Sequence, residues 1–205
     1  MYIPKHFAMT DFNKAIDFIK TYNFGILVSQ FDNKPLATHL PFLLEKRADK
    51  WFLVTHIAKA NPQKINLEEQ TILAIFSEPH AYISPSLYSE KQNVPTWNYV
   101  SVHCYGKSKL IASEMGKIEL LENLIKLMDP NYITQWATLP ERYKKALLDD
   151  MIGIEIEITH FDAKEKLSQN KPENDQQKII EHLSNSGDTI KQDLAKKMKI
   201  MNENK

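Results

Sequence analysis

Apolar positions in TDFNKAIDFIKTY, residues 10–22, fall at Phe12, Ala15, Ile16 and Ile19. That three-and-four spacing predicts an amphipathic helix, with Thr10 or Asp11 as its N-cap. The period then shortens. FGILVSQF and PLATHLPFLL flank the turn-prone triplet Asp32, Asn33 and Lys34, which predicts a hairpin over residues 24–43. KWFLVTHI, TILAIFSE, HAYISPS and VPTWNYVSVHCYG follow as four extended segments rich in β-branched and aromatic residues. Between the first two, Asn61 can cap a short helix that Pro62 opens. SEMGKIELLENLIKLMD brings Ile118, Leu121, Leu124, Ile125 and Met128 to one face and predicts a second helix; Pro140 opens a third over PERYKKALLDD. In MIGIEIEITHF, Ile152, Ile154, Ile156 and Ile158 alternate with Gly153, Glu155, Glu157 and Thr159, the pattern of a half-exposed antiparallel strand.

Seven strands with few helices predict a mainly β fold, a closed or nearly closed barrel with peripheral helices; a sandwich satisfies the same pattern. Beyond Phe161, KEKLSQNKPENDQQK is polar and reads as a linker or a surface-hugging arm, and the tail can form two short helices around SNSGD. The 205 residues, 42% of them apolar, can supply one substantial core. Basic and acidic side chains number 26 each, so no global field holds the chain to nucleic acid or to an anionic membrane. The local exception is residues 189–205, where Lys191, Lys196, Lys197, Lys199 and Lys205 face only Asp193 and Glu203. Cys104 is the sole cysteine, which excludes an intrachain disulfide and a multi-cysteine zinc site and suits a reducing cytoplasm. Charges scattered through the first twenty residues leave neither a signal-peptide core nor a spanning helix, so a soluble cytoplasmic chain without membrane contact is expected.

Three stretches carry candidate chemistry. THIAKANPQK, residues 55–64, leads from a strand into a helix start, where amide N–H groups and Lys59 or Lys64 can favour a phosphate; an ordinary crossover loop with solvated lysines reads the same way. ATHLPF sets Thr38 and Leu40 on one face and Ala37, His39 and Pro41 on the other. HAYISPS and VPTWNYV add Tyr82, Ser84, Thr96, Trp97, Asn98 and Tyr99, a mixture suited to a flat aromatic ligand with hydrogen-bonding edges, although strand aromatics more often fill a core. His39, His56, His80, His103 and Cys104 show no metal-ligand spacing, and no serine has a nucleophile-elbow context, so neither a metal site nor a hydrolase is expected. No catalytic residue can be assigned; His39 and Tyr82 are proton-donor candidates by type.

MYIPKHF, ATHLPF, HIAKANPQ, PHAYISPS, VPTWNYVSVHCYG and KLSQNK occur in an order and spacing that resembles the PaiB-type proteins, bacterial FMN-binding-domain negative transcriptional regulators. The resemblance runs from residue 1 to about residue 171 and weakens over a helical insert at about 114–150. It implies an FMN-binding split β-barrel over residues 1–170, similar to the pyridoxamine-phosphate oxidases, followed by a polar linker and helical tail over 171–205. It also implies a homodimer with FMN at the subunit interface. Carried over by position, Thr55, His56, Lys59 and Asn61 would meet the FMN phosphate. Thr38, His39, Thr96, Trp97 and Asn98 would line the isoalloxazine or ribityl region, with LSQN, residues 167–170, packed close by. Lys59 stands where the family often has arginine, Glu78 where it has glycine, and Leu87 and Glu165 where tryptophan is common. The function implied is a repressor of degradative-enzyme and sporulation genes that senses redox or metabolic state, with DNA contact, if direct, through the weakly basic tail TIKQDLAKKMKI. The alternatives are an FMN-dependent oxidoreductase, either a flavin reductase or a haem-handling barrel, without direct DNA binding, and an interaction module with a vestigial pocket.

Overall fold

Seven strands hydrogen-bond in the order β2-β1-β5-β6-β7-β4-β3. They span β1 Phe24–Phe31, β2 Lys34–Pro41, β3 Leu43–Arg47, β4 Lys50–Ala58, β5 Thr71–Ile83, β6 Thr96–Ile111 and β7 Met151–Lys166. Helices are α1 Phe12–Thr21, α2 Glu114–Met128, α3 Tyr132–Thr138, α4 Glu141–Asp149, α5 Glu173–Ser184 and α6 Thr189–Glu203. This computed structural model describes residues 1–203. They form two compact units, one of residues 19–76 and 103–161, the other of residues 1–18, 77–102 and 162 onward.

The first unit contains parts of all seven strands. β2 and β3 lie at opposite ends of the strand order, yet Phe42 alone separates them in sequence, so the two sheet ends must meet. Closure shows in one bond: Thr55 Oγ1 of β4 donates to the Pro41 carbonyl that ends β2, at 2.7 Å. A sheet closed in this way is a barrel, and the sandwich alternative falls. Inside it Leu27, Phe42, Leu53, Ile72, Phe76 and Ile154 have no exposed surface, each burial contributing about 1.5–3 kcal/mol. On the other face of β4, Val54 packs with Leu120, Leu124 and Leu148 of the helical insert and with Met151 at the start of β7. Gly153 permits that approach, since a Cβ there would sit 2.9 Å from Ile111 Cβ and 3.2 Å from Leu120 Cδ1.

Strand count matches the sequence pattern, but the divisions differ. PLATHLPFLL is two strands broken at Phe42, whose N–H bonds Asn23 O at 2.8 Å instead of continuing a ladder. TILAIFSE and HAYISPS form the single strand β5 through Pro79. The β1–β5 register covers only Leu73 to Ile75, so the proline's missing N–H costs no bond to β1. β7 runs on to Lys166, into the segment whose polarity reads as a linker, and α3 is a helix that the pattern does not predict.

In the second unit the N-terminal segment lies along β7, with Met9 N bonding Ala163 O at 3.0 Å and Ala8 bridging Lys164. α5 and α6 form a helical hairpin that buries Ile179, Leu183, Leu194 and Met198 completely. Asp175 of α5 accepts from Ser89 N at 2.8 Å and Ser89 Oγ at 2.6 Å, with Lys178 Nζ at 3.9 Å. The Ser89 hydroxyl, the Ser89 amide and the nearby lysines hold its carboxyl below the ordinary 3.8, against the opposing effect of desolvation. Its contribution is therefore full above that value and lost as pH falls through the depressed folded value. Asp175→Asn is expected to melt below wild type at pH 7, with the gap closing as thermal melts are taken below about pH 4.

Candidate functional site

Gln63, one residue beyond Pro62, organises the end of the β1–β2 hairpin. It is 1% exposed, and its Nε2 lies 3.1 Å from Leu27 O, 3.0 Å from Ser29 Oγ and 3.1 Å from Leu36 O, two protons shared among three acceptors. Its Oε1 accepts from Thr38 Oγ1, and Thr38 Oγ1 accepts from Asn61 Nδ2 at 3.0 Å. Thr38 and Asn61, flavin-side and phosphate-side contacts by resemblance, are thus brought into direct contact, and a buried glutamine that no periodicity marks anchors the pair. His39 points the other way, exposed and stacked on Phe24 at 6.3 Å.

The predicted helix start after Asn61 is a single 3-10 turn, Pro62–Lys64. Its amides are satisfied internally: Asn61 N by Ala58 O, Gln63 N by Asn61 Oδ1, Lys64 N by Asn61 O and Ile65 N by Pro62 O. A cradle of free amides is therefore absent at these four positions. Lys64 Nζ turns back to Lys59 O at 2.7 Å. Lys59 anchors its own N–H on Asp150 O at 2.8 Å and leaves an exposed side chain. Thr55 is fully buried and committed to Pro41. His56, next on the strand, points to the opposite face, so the two do not line one wall. His56 Nδ1 is a buried ring nitrogen without a hydrogen-bond partner, and burial pushes the imidazole pKa down from 6.5. The ring is neutral at pH 7, able to accept at one nitrogen and donate at the other.

In the other unit, VPTWNYV divides by alternation. Asn98 is fully buried: its Nδ2 donates to Ser168 Oγ at 2.9 Å, Ser168 Oγ reaches Asn98 Oδ1 at 3.1 Å, and Met198 Sδ of α6 lies 3.7 Å from Nδ2. It ties the strand to LSQN and to the tail. Ser168 takes a left-handed φ of 61°, and this exchange with Asn98 helps to hold the turn. Thr96 Oγ1 accepts from Lys166 Nζ. Trp97 faces outward, 52% exposed, with its ring centroid 5.6 Å from His80 and 6.2 Å from Tyr82. Gln63 and the β7 lysines escape sequence reasoning, the latter because their segment reads as a linker, whereas Ser168 lies in the LSQN stretch singled out by resemblance. On the remainder of the stretch, Val100, Val102 and Cys104 are core, and burial pushes the Cys104 thiol up to about 12.

A cavity of about 280 Å³ is lined by Glu45, Arg47, Glu119 and Glu155 among others, and one of about 470 Å³ by Phe52, Lys107, Lys109 and Glu157 among others. Neither includes any of the nine candidate residues. Arg47 is held between Glu155, at 2.5 Å, and Glu45, at 2.5 Å, which saturates its charge. Among the described residues there is no group of three or more His, Cys, Asp or Glu placed to hold a metal, and no helix is long and apolar enough to cross a membrane.

A family model described as "Putative FMN-binding domain" matches residues 1–160. The chain belongs to that family. Within this FMN-binding-domain family, it is 37% identical over 204 residues to the Bacillus subtilis (strain 168) protein named "Protease synthase and sporulation protein PAI 2", covering 97% of this chain and 96% of the relative. The PaiB-type resemblance carried by the six motifs is thereby borne out. Among solved structures, the flavocytochrome Anf3 from Azotobacter vinelandii aligns with a TM-score of 0.62 at 18% identity, over 80% of this chain and 72% of that one. The FAD and heme binding protein from Mycobacterium smegmatis aligns with a TM-score of 0.59 at 17% identity, over 81% and 77%. These likenesses show a shared fold, the split β-barrel with peripheral helices. For the FMN-binding-domain chain described here, FMN is the cofactor to which the family points.

Proposed function

We propose that this FMN-binding protein is a negative regulator of transcription that acts as a homodimer in the cytoplasm and couples gene expression to redox or metabolic state. One observation carries the reading: 37% identity over 97% of the chain with a relative whose name concerns protease synthesis and sporulation. Lys59 and His56 are the phosphate-side contacts the local chemistry favours, an exposed cation and a buried ring nitrogen, neither with a side-chain partner among the described residues. Thr38, Thr55 and Asn61 act behind them by holding the backbone, and Asn98 does the same behind Trp97 and Thr96. His39 in one unit and Trp97 in the other each present an exposed ring of the kind on which an isoalloxazine stacks. Bound FMN supplies one- and two-electron exchange. The protein's own share is to orient the ring and balance its charge.

DNA contact through the tail is the direct route for such regulation. α5 and α6 are joined by the short turn Asn185–Asp188, but Lys191 pairs with Asp188 at 3.8 Å, Lys196 with Asp193 at 2.7 Å, and Lys197 lies over Phe18. Lys199 remains exposed, and Lys205 lies outside the described residues. A salt-dependent gel shift of promoter DNA tests the direct route; its absence makes regulation indirect. The oxidoreductase reading draws support from solved structures of the same fold named as a flavocytochrome and as a FAD and heme binding protein. Anaerobic mixing of the flavin-loaded protein with reduced nicotinamide separates it from the regulator.

Lys59→Ala is expected to weaken FMN binding about tenfold, about 1.4 kcal/mol, with the melting temperature unchanged. Flavin fluorescence titration alongside a thermal melt checks both. Unchanged affinity removes Lys59 from the phosphate site, and a colourless preparation that takes up no added FMN removes the flavin reading altogether.

A further inference from the structure

Among the described residues, two lysines of β7 have no carboxylate in ion-pair contact. Lys164 is 7% exposed. Its ammonium reaches the Tyr2 carbonyl at 3.4 Å, beyond the usual N–H···O range, and no other hydrogen-bond partner among the described residues. Its other neighbours are ring faces, Tyr99 at 5.2 Å and Tyr2 at 5.9 Å. Lys166, on the same face of the strand, gives its hydrogen bond to Thr96 and lies 6.0 Å from the Phe7 ring. Burial, and then the charge of Lys164, push the Lys166 pKa down. Among the described residues neither lysine is in an ion pair. Glu165 between them interacts instead with Lys14 and Lys197, and Asp162 holds the N-terminal ammonium.

Lysine is almost never fully buried unless paired, because an uncompensated ammonium in low dielectric opposes folding. A residue kept at such a cost points to a ligand that supplies the missing charge. Beside the two lysines, Trp97 and Tyr99 share one face of β6, and the solvent-exposed Trp97 ring meets His80 and Tyr82. We propose that this face of β5, β6 and β7 binds a flat aromatic anion, its ring against Trp97 and Tyr99 and its negative group at Lys164 and Lys166. A neutral ring leaves the cations unpaired, and an inorganic anion leaves the rings unused. FMN and an aromatic carboxylate both carry this chemistry; the site shares Thr96 and Trp97 with the flavin reading but does not depend on the Lys59 side.

The test is isothermal titration of the full-length protein with 2-naphthoate, the neutral 2-naphthalenemethanol and FMN, repeated on Lys164→Met and Lys166→Met, with thermal melts of each. Wild type is expected to bind the carboxylate at least tenfold more tightly than the alcohol. Each methionine variant is expected to lose that preference while melting at or above the wild-type temperature, since the apolar stem stays and the unpaired charge goes. No preference in wild type, or a preference that survives both substitutions, overturns the site. Variants that lose binding and also melt lower overturn it too, because the lysines then hold the fold. If Lys164→Met does not fold, the half-exposed Lys166→Met decides alone. Lysine-dependent naphthoate binding without FMN uptake sinks the flavin reading and keeps this one. FMN retained equally by all three proteins, with no naphthoate bound, does the reverse.

Discussion

Gln63→Ala is expected to lower the melting temperature by about 6–12 °C, the equivalent of about 3 kcal/mol in a chain of this size. Alanine removes the donor that reaches Leu27 O, Leu36 O and Ser29 Oγ and the acceptor that takes the Thr38 hydroxyl, all at a position 1% exposed. Each buried acceptor left without a proton costs about 1–3 kcal/mol, and water entering the vacated space recovers only part of it. Leu27 pairs with Thr38, and Ser29 with Leu36, in the β1–β2 ladder, so the glutamine clamps both strands from outside the hairpin. Gln63→Glu separates shape from hydrogen bonding: it keeps the volume but turns a carboxylate oxygen toward the two carbonyls, and is expected to melt no higher than the alanine variant at pH 7. A fall of less than about 2 °C for Gln63→Ala in a thermal melt contradicts this role.

Gly106→Ala is the second large effect, about 3 kcal/mol and a comparable drop in melting temperature. Backbone conformation is not the cause, because no glycine in the chain has a positive φ. Space is. A Cβ at Gly106 would lie 2.2 Å from Glu157 O, 2.6 Å from Ile156 Cγ2 and 3.0 Å from Glu157 C. Two of those atoms are backbone of β7, which cannot swing aside as a side-chain end can, so the β6–β7 approach must open. Gly187→Ala serves as the control, since nothing lies within 4 Å of its built Cβ. It is expected to melt within about 2 °C of wild type. Equal melting of the two variants, read by circular dichroism, would show that β7 yields at Glu157.

Much of the chain was legible as pattern. The 10–22 periodicity is α1, with Asp11 Oδ1 accepting from Asn13 N at 2.9 Å as a capping residue does. The isoleucine alternation is the first half of β7, and the 113–129 stripe is α2, although Met128 at its end is half exposed. These are readings of local period, and a local period survives whatever the element packs against. The candidate residues were less legible for the same reason. Thr55 and His56 are neighbours in one motif, yet alternation sends them to opposite faces. Trp97 and Asn98 part in the same way, one outward with His80 and Tyr82 and the other inward to Ser168 and Met198.

By itself the sequence determined that this is a β-rich chain with amphipathic helices at its margins, and its ordered motifs placed it in an FMN-binding family. Periodicity left barrel and sandwich open and the resemblance implied the barrel; tertiary structure shows the closure itself, which depends on which strands lie at the ends of the order and on a Thr55 hydroxyl finding Pro41. It likewise decided that Gln63 is a hub, that Gly106 is a contact point and that Lys164 has no counter-charge among the described residues. Period and composition record the environment each residue prefers. They do not record which distant residue arrives to share it, and hydrogen bonds, close approaches and missing ion-pair partners are all properties of that arrival.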